Sequence, residues 1–136
     1  MRPLFLSVAL AFAGVLSAQT CGSLAITGSG AAGTQLGVAV TGATANAFTI
    51  VLVGETTGTT SLPLPGGSLS IGLASPFLPL PLGRTDATGA ASQQINVPSW
   101  ISQQYSLNAQ AVTIGFTRSP FSISGCTTNV AAFTIG

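Results

Sequence analysis

The chain has 136 residues, and its only charges are three arginines (Arg2, Arg84, Arg118), Glu55 and Asp86, with no lysine and no histidine. Acid–base catalysis, metal coordination and phosphate recognition all draw on residue types that are nearly missing here. The composition therefore points away from an enzyme, a metalloprotein and a nucleic-acid binder, and implies no cofactor.

The first elements are a short basic start at Arg2 and an apolar run over residues 4–16, followed by the small residues Ser17 and Ala18. The run is too short to span a bilayer as a helix, and the order of features is that of a secretory signal. Cleavage after Ala18 is expected, giving a signal peptide at 1–18 and one domain at 19–136. That product carries two acids and two bases, a side-chain net charge of zero. It is expected to be secreted to the extracellular space, the cell surface or the periplasm, with no membrane insertion after cleavage. Cys21 and Cys126 lie near its two ends, and an oxidising compartment predicts a disulfide between them.

Beyond Cys21, alternation of apolar and polar residues recurs with period two, the signature of β-strands with one buried face. Strands are predicted at 23–27, around Leu36, Val38 and Val40, around Leu69, Ile71 and Leu73, and around Gln93, Ile95 and Val97. A further strand starts at Tyr105 and runs through Leu107, Ala109 and Ala111, with Ser106, Asn108 and Gln110 facing outward. The segment 48–53 is apolar at every position but Thr49, as a strand covered on both faces would be. Short strands at 121–124 and 130–135 complete the set. Glycine, proline, serine and threonine clusters at 28–30, 42–43, 54–59, 65–67, 86–89 and 119–120 punctuate these runs as turns. Pro76, Pro79 and Pro81 forbid a central strand over 76–82, which is expected to be an extended crossover or an edge. No window shows helical spacing. Seven or eight short strands at this spacing predict an all-β, antiparallel, immunoglobulin-like sandwich.

Two places invite a functional reading. Arg84 and Asp86 fall in a segment ending at Gly89; a lone carboxylate is too little for calcium, so a hydrogen-bonded turn with a solvated arginine is expected. Trp100 and Tyr105 flank the connection 98–104, where exposed rings beside amide side chains would stack on a sugar. The competing role is packing, with Tyr105 in register with Leu107 as a core ring and Trp100 as a cap.

The run Gly83-Arg84-Thr85-Asp86-Ala87-Thr88-Gly89-Ala90-Ala91, then Val97-Pro98, then residues 104–111, resembles a module at the C-terminal end of secreted planctomycete-type bacterial proteins. The opening at 33–36 and the leucine–proline run at 78–82 agree with it, and the hairpin motif is also similar to bacterial immunoglobulin-like domains. The resemblance implies an extracellular β-sandwich of unestablished activity and carries over no functional residue.

The outward positions hold Thr, Ser, Gln, Asn and Ala with almost no charge. Natural sheets guard their edge strands with lysine, proline or charge, and a net charge near zero favours association. The leading expectation is a non-catalytic structural or adhesive protein that binds itself or extracellular matrix or cell-surface components. The strand expected to mediate self-association is Val130, Ala131, Ala132, Phe133, Thr134 and Ile135. The alternative expectation is a binding module for carbohydrate or another uncharged ligand.

Overall fold

A computed structural model describes residues 19–64, 67–118 and 121–136; the expected signal peptide at 1–18 and parts of the turns at 65–67 and 119–120 lie outside them. The described residues hold ten strands and no helix. These are β1 (Gln19–Thr20), β2 (Ser23–Thr27), β3 (Gln35–Thr41), β4 (Phe48–Gly54) and β5 (Thr57–Leu64). They are followed by β6 (Gly67–Leu73), β7 (Phe77–Arg84), β8 (Ala91–Asn96), β9 (Tyr105–Arg118) and β10 (Phe121–Ile135). A large sheet runs β1-β10-β9-β4-β7, a small sheet runs β2-β3-β8, and β5-β6 forms a separate hairpin. Every pairing is antiparallel except that of β1 with β10. With β1 and the hairpin set aside, β2, β3 and β8 take the places of strands A, B and E. β4, β9 and β10 take those of C, F and G, and β7 lies beside C. This is the Greek-key order of an immunoglobulin-like sandwich, as the alternation predicted.

Several strands differ from expectation: β1 and β5 lie where none was predicted, and β9 runs on past Ala111 to Arg118. The segments 121–124 and 130–135 belong to one strand, β10, broken in register only between Thr127 and Val130. The expected turn at 54–59 is shorter, because Thr57 already pairs with Leu73 and Thr60 with Ile71. The β-branched threonines favour extended backbone there and override the glycine at position 58.

Both faces of the large sheet are covered. On one face Val51, Ala109 and Ala111 pack against Leu24, Val38 and Val40 of the small sheet. On the other, Leu52 and Val112 pack against Leu69, Ile71 and Leu73 of the hairpin. The double covering explains why β4 is apolar at successive positions. It also buries Gln110, which alternation placed at the surface. Its Oε1 accepts the Gly72 N–H at 2.7 Å, and its Nε2 donates to the Thr128 carbonyl at 2.7 Å. A buried amide is tolerable when its groups are partnered in this way.

The proline run forms β7, an edge strand of the large sheet, paired only to β4. Pro79 stands opposite Leu52 and Pro81 opposite Ile50. A proline offers no N–H, so an edge is the place in a sheet where two of them fit.

Cys21 and Cys126 form the predicted disulfide, with their Cα atoms 5.7 Å apart, inside the usual range for such a bridge. It ties the residue after β1 to β10 within the sandwich interior. The Thr113 hydroxyl donates to Cys126 Sγ at 3.0 Å, and Thr44 Oγ1 stands 3.5 Å from the same sulfur. Thr49, paired with Thr113 across the strands, is fully buried, and its hydroxyl has no hydrogen-bond partner among the described residues.

Candidate functional site

Three surfaces bear on function, and each is set by where strands begin, end or lack a neighbour. The connection from β8 to β9 carries Trp100. Backbone bonds fix the start of this connection: Gly33 N–H donates to the Val97 carbonyl at 2.9 Å, and Val97 N–H to the Thr34 carbonyl at 2.8 Å. Past it, Trp100 is 80% exposed, and Tyr105, opening β9 opposite Ile135, is 42% exposed. The core role expected for Tyr105 fails, because the ring at the start of β9 is left uncovered. Register with Leu107 therefore does not bury the ring. Both aromatics present polarisable faces to solvent at the same end of the sandwich.

The segment from Val130 to Ile135 pairs with β9 on one side only; β1 covers the other side of β10 at Cys126 and Thr127. Its lower end is not open. Gly30, with φ +75°, lets the loop lie against the Thr134 carbonyl, and Gly136 N–H donates to the Gly30 carbonyl at 2.8 Å. At its upper end Asn129, in the bulge, reaches across to β2: Oδ1 accepts the Leu24 N–H at 2.9 Å and Nδ2 donates to the Leu24 carbonyl at 3.3 Å. That amide occupies β2's outer edge as a neighbouring strand would. The free stretch of β10 is thus shorter than the sequence suggested.

The other edge of the small sheet is β8. Among the described residues it pairs with β3 alone, and Ser92, Gln93, Gln94 and Asn96 along it are exposed. It contains neither proline nor charge. Sequence reasoning missed it as an edge because its alternation reads the same in any position of a sheet; only the pairing shows it.

The segment at 84–90 is a turn, as expected, joining the large sheet to the small one. Asp86 Oδ1 accepts the Thr88 hydroxyl at 2.7 Å and the N–H groups of Thr88 and Ala90 at 2.8 and 3.0 Å. The Thr88 hydroxyl first, and these backbone amides after it, hold the carboxyl below its ordinary range. Gly89 has φ +80°, and any Cβ there would overlap the backbone of Ala43. Arg84 is exposed. The carboxylate is consumed by its own turn, which leaves it little to offer a ligand.

An apolar cleft of about 270 Å³ lies between the two sheets at the end carrying Trp100 and Tyr105. A second depression of about 390 Å³ beside it shares Val53, Leu78 and Leu107 and includes Glu55. Among the described residues no three of Cys, Asp or Glu cluster as a metal site would require. Comparison of the chain with protein-family models, curated proteins and solved structures finds no match.

Proposed function

We propose that the protein is an extracellular, non-catalytic β-sandwich with a structural or adhesive role, joining copies of itself or components of a matrix or cell surface. The observation that carries this reading is β8, an edge strand with neither proline nor charge on a nearly ion-free exterior. Unpaired N–H and C=O groups on such an edge accept another strand unless something repels it. The free part of β10 offers a second such stretch. The disulfide fits an oxidising compartment, and the resemblance to secreted bacterial modules agrees with that location.

Sedimentation velocity across a range of concentrations tests the proposal. The expected result is a reversible shift to dimers or larger species that persists in high salt, since no charge pairing is involved. Gln93→Lys with Gln94→Lys places two like charges on the β8 edge and is expected to restore the monomer. A wild-type monomer at every concentration and salt overturns the proposal.

The exposure of Trp100 and Tyr105 favours a second reading, recognition of an uncharged carbohydrate by ring stacking. Trp100 is the single tryptophan, so its fluorescence reports directly on sugar binding. No change with any glycan of a broad panel removes this reading.

A further inference from the structure

The two sheets of the sandwich do not meet along their full length. The strand pairing sets Leu78 beside Val53 and Val53 beside Ala109, a row on the face of the large sheet that is turned toward the small one. At the end of this row Leu78 is 72% exposed, so the small sheet stops short of it. Within the row Ala109 is fully buried but offers only a methyl group. Facing sheets stand about 10 Å apart, a gap that larger side chains normally fill from both sides. Here the gap is left as the cleft, with Val38 and Ile95 of the small sheet opposite Val53, Ala109 and Phe133.

The walls define what fits. No lining side chain is ionisable, and Asn96 is the only polar one; its Oδ1 already accepts Gln35 Nε2 at 2.9 Å. A charged group entering here would lose its hydration with nothing to replace it. Water is also poorly served, because an ordered water needs two to four polar partners. A dry apolar cavity of about 150 Å³ accepts benzene. By simple proportion, 270 Å³ accommodates a compact molecule of about ten carbon atoms.

We propose that this cleft is a binding site for a small, uncharged, apolar molecule of about that size, with bicyclic aromatics and monoterpenes as the matching chemical class. Trp100 and Tyr105 do not line the site, which shares only the Ile95 and Asn96 side chains with β8, and binding there requires neither sugar recognition nor self-association.

Titration of the protein with naphthalene, followed by methyl NMR, tests the assignment. Saturable shifts are expected at Val53, Ile95 and Leu107, with little change at Ile114 and Ile123 at the opposite end. Naphthalene-2-sulfonate, which adds a charge to the same ring system, is expected to bind at least about tenfold more weakly, reflecting the charge penalty. Ala109→Leu fills the cleft floor and is expected to weaken naphthalene binding by at least about tenfold while keeping a dispersed spectrum. Should that variant unfold, Val53→Phe, at a half-buried position on the same wall, makes the same test. The proposal is overturned if wild-type methyl groups of the cleft show no saturable shift up to the solubility of naphthalene. Undiminished affinity in a folded cleft-filling variant, or equal affinity for the sulfonate, overturns it too.

Discussion

Three side chains of a two-stranded hairpin, Leu69, Ile71 and Leu73, are each no more than 1% exposed where they meet Leu52 and Val112 on one face of the large sheet, while Phe48 and Phe116 at the far end of that face stay open to solvent. The opposite face has a whole three-stranded sheet laid over it and still ends in an open cleft with Leu78 in solvent. At these contacts tightness follows side-chain volume and not strand number. The hairpin meets the sheet with Leu-x-Ile-x-Leu against Leu52 and Val112, and Gln110 fastens the layers by hydrogen bonds on both sides. The sandwich face relies on Ala109, Ala111 and short valines, and is fastened at its far end by the disulfide. The hairpin contact at Leu52 and Val112 is tight, and the sandwich contact beside Val53 and Leu78 leaves room.

Removing the disulfide by Cys21→Ala with Cys126→Ala has the largest expected effect on this contrast. A bridge spanning 105 residues contributes about 4–5 kcal/mol by loop-closure entropy. Denaturant titration reads the loss, which should fall on the sandwich face first. Next comes a matched pair of truncations. Leu69→Ala at the hairpin contact is expected to cost about 4 kcal/mol, while Leu80→Ala, half-buried on the cleft wall, costs about 2 kcal/mol. Equal losses would mean that the two faces are packed alike after all. Gln110→Ala strands the Gly72 N–H and the Thr128 carbonyl, an expected loss of about 2 kcal/mol. Hydrogen exchange should show the Gly72 amide losing protection.

Thr49→Val has the opposite sign. The buried hydroxyl lacks a partner among the described residues, so a methyl in its place is expected to stabilise the fold by about 1 kcal/mol. The smallest effect concerns the turn that joins the two sheets. Folding lowers the Asp86 pKa below its ordinary value of 3.8. Its contribution is fully present above that value and drains away as pH falls below it toward the lowered folded pKa. Asp86→Asn should flatten that part of the acid limb in a stability-versus-pH series.

Much of this architecture was readable from residues alone. The disulfide, the two-faced character of β4, the edge position of the prolines and the turn at Asp86 follow from local chemistry. What escaped depends on which strands become neighbours. Gln110 looked like a surface residue because its alternation cannot reveal a hairpin folding over it. Tyr105 looked like a core residue because periodicity does not say where the opposing sheet ends. Asn129 gave no signal, since its partner, the backbone of Leu24, lies 105 residues away. The cleft was equally hidden: alanine at 109 reads as an ordinary strand residue until the facing sheet is in place.

The placement of the two prolines and of Asn129 bears on the geometry of any assembly. Each of the two sheets of the sandwich has one obstructed margin, β7 in the large sheet and β2 in the small one, and one margin with unpaired backbone groups among the described residues. The two receptive margins lie on opposite flanks of the molecule. Joining like to like through one flank makes a twofold pair that stops growing. Joining through both makes a string in which two kinds of twofold junction alternate. If copies join by these margins as proposed, two imino acids and one amide limit the sheets of the sandwich to pairs or strings, and the outer edges of the β5-β6 hairpin are left as the route to branching.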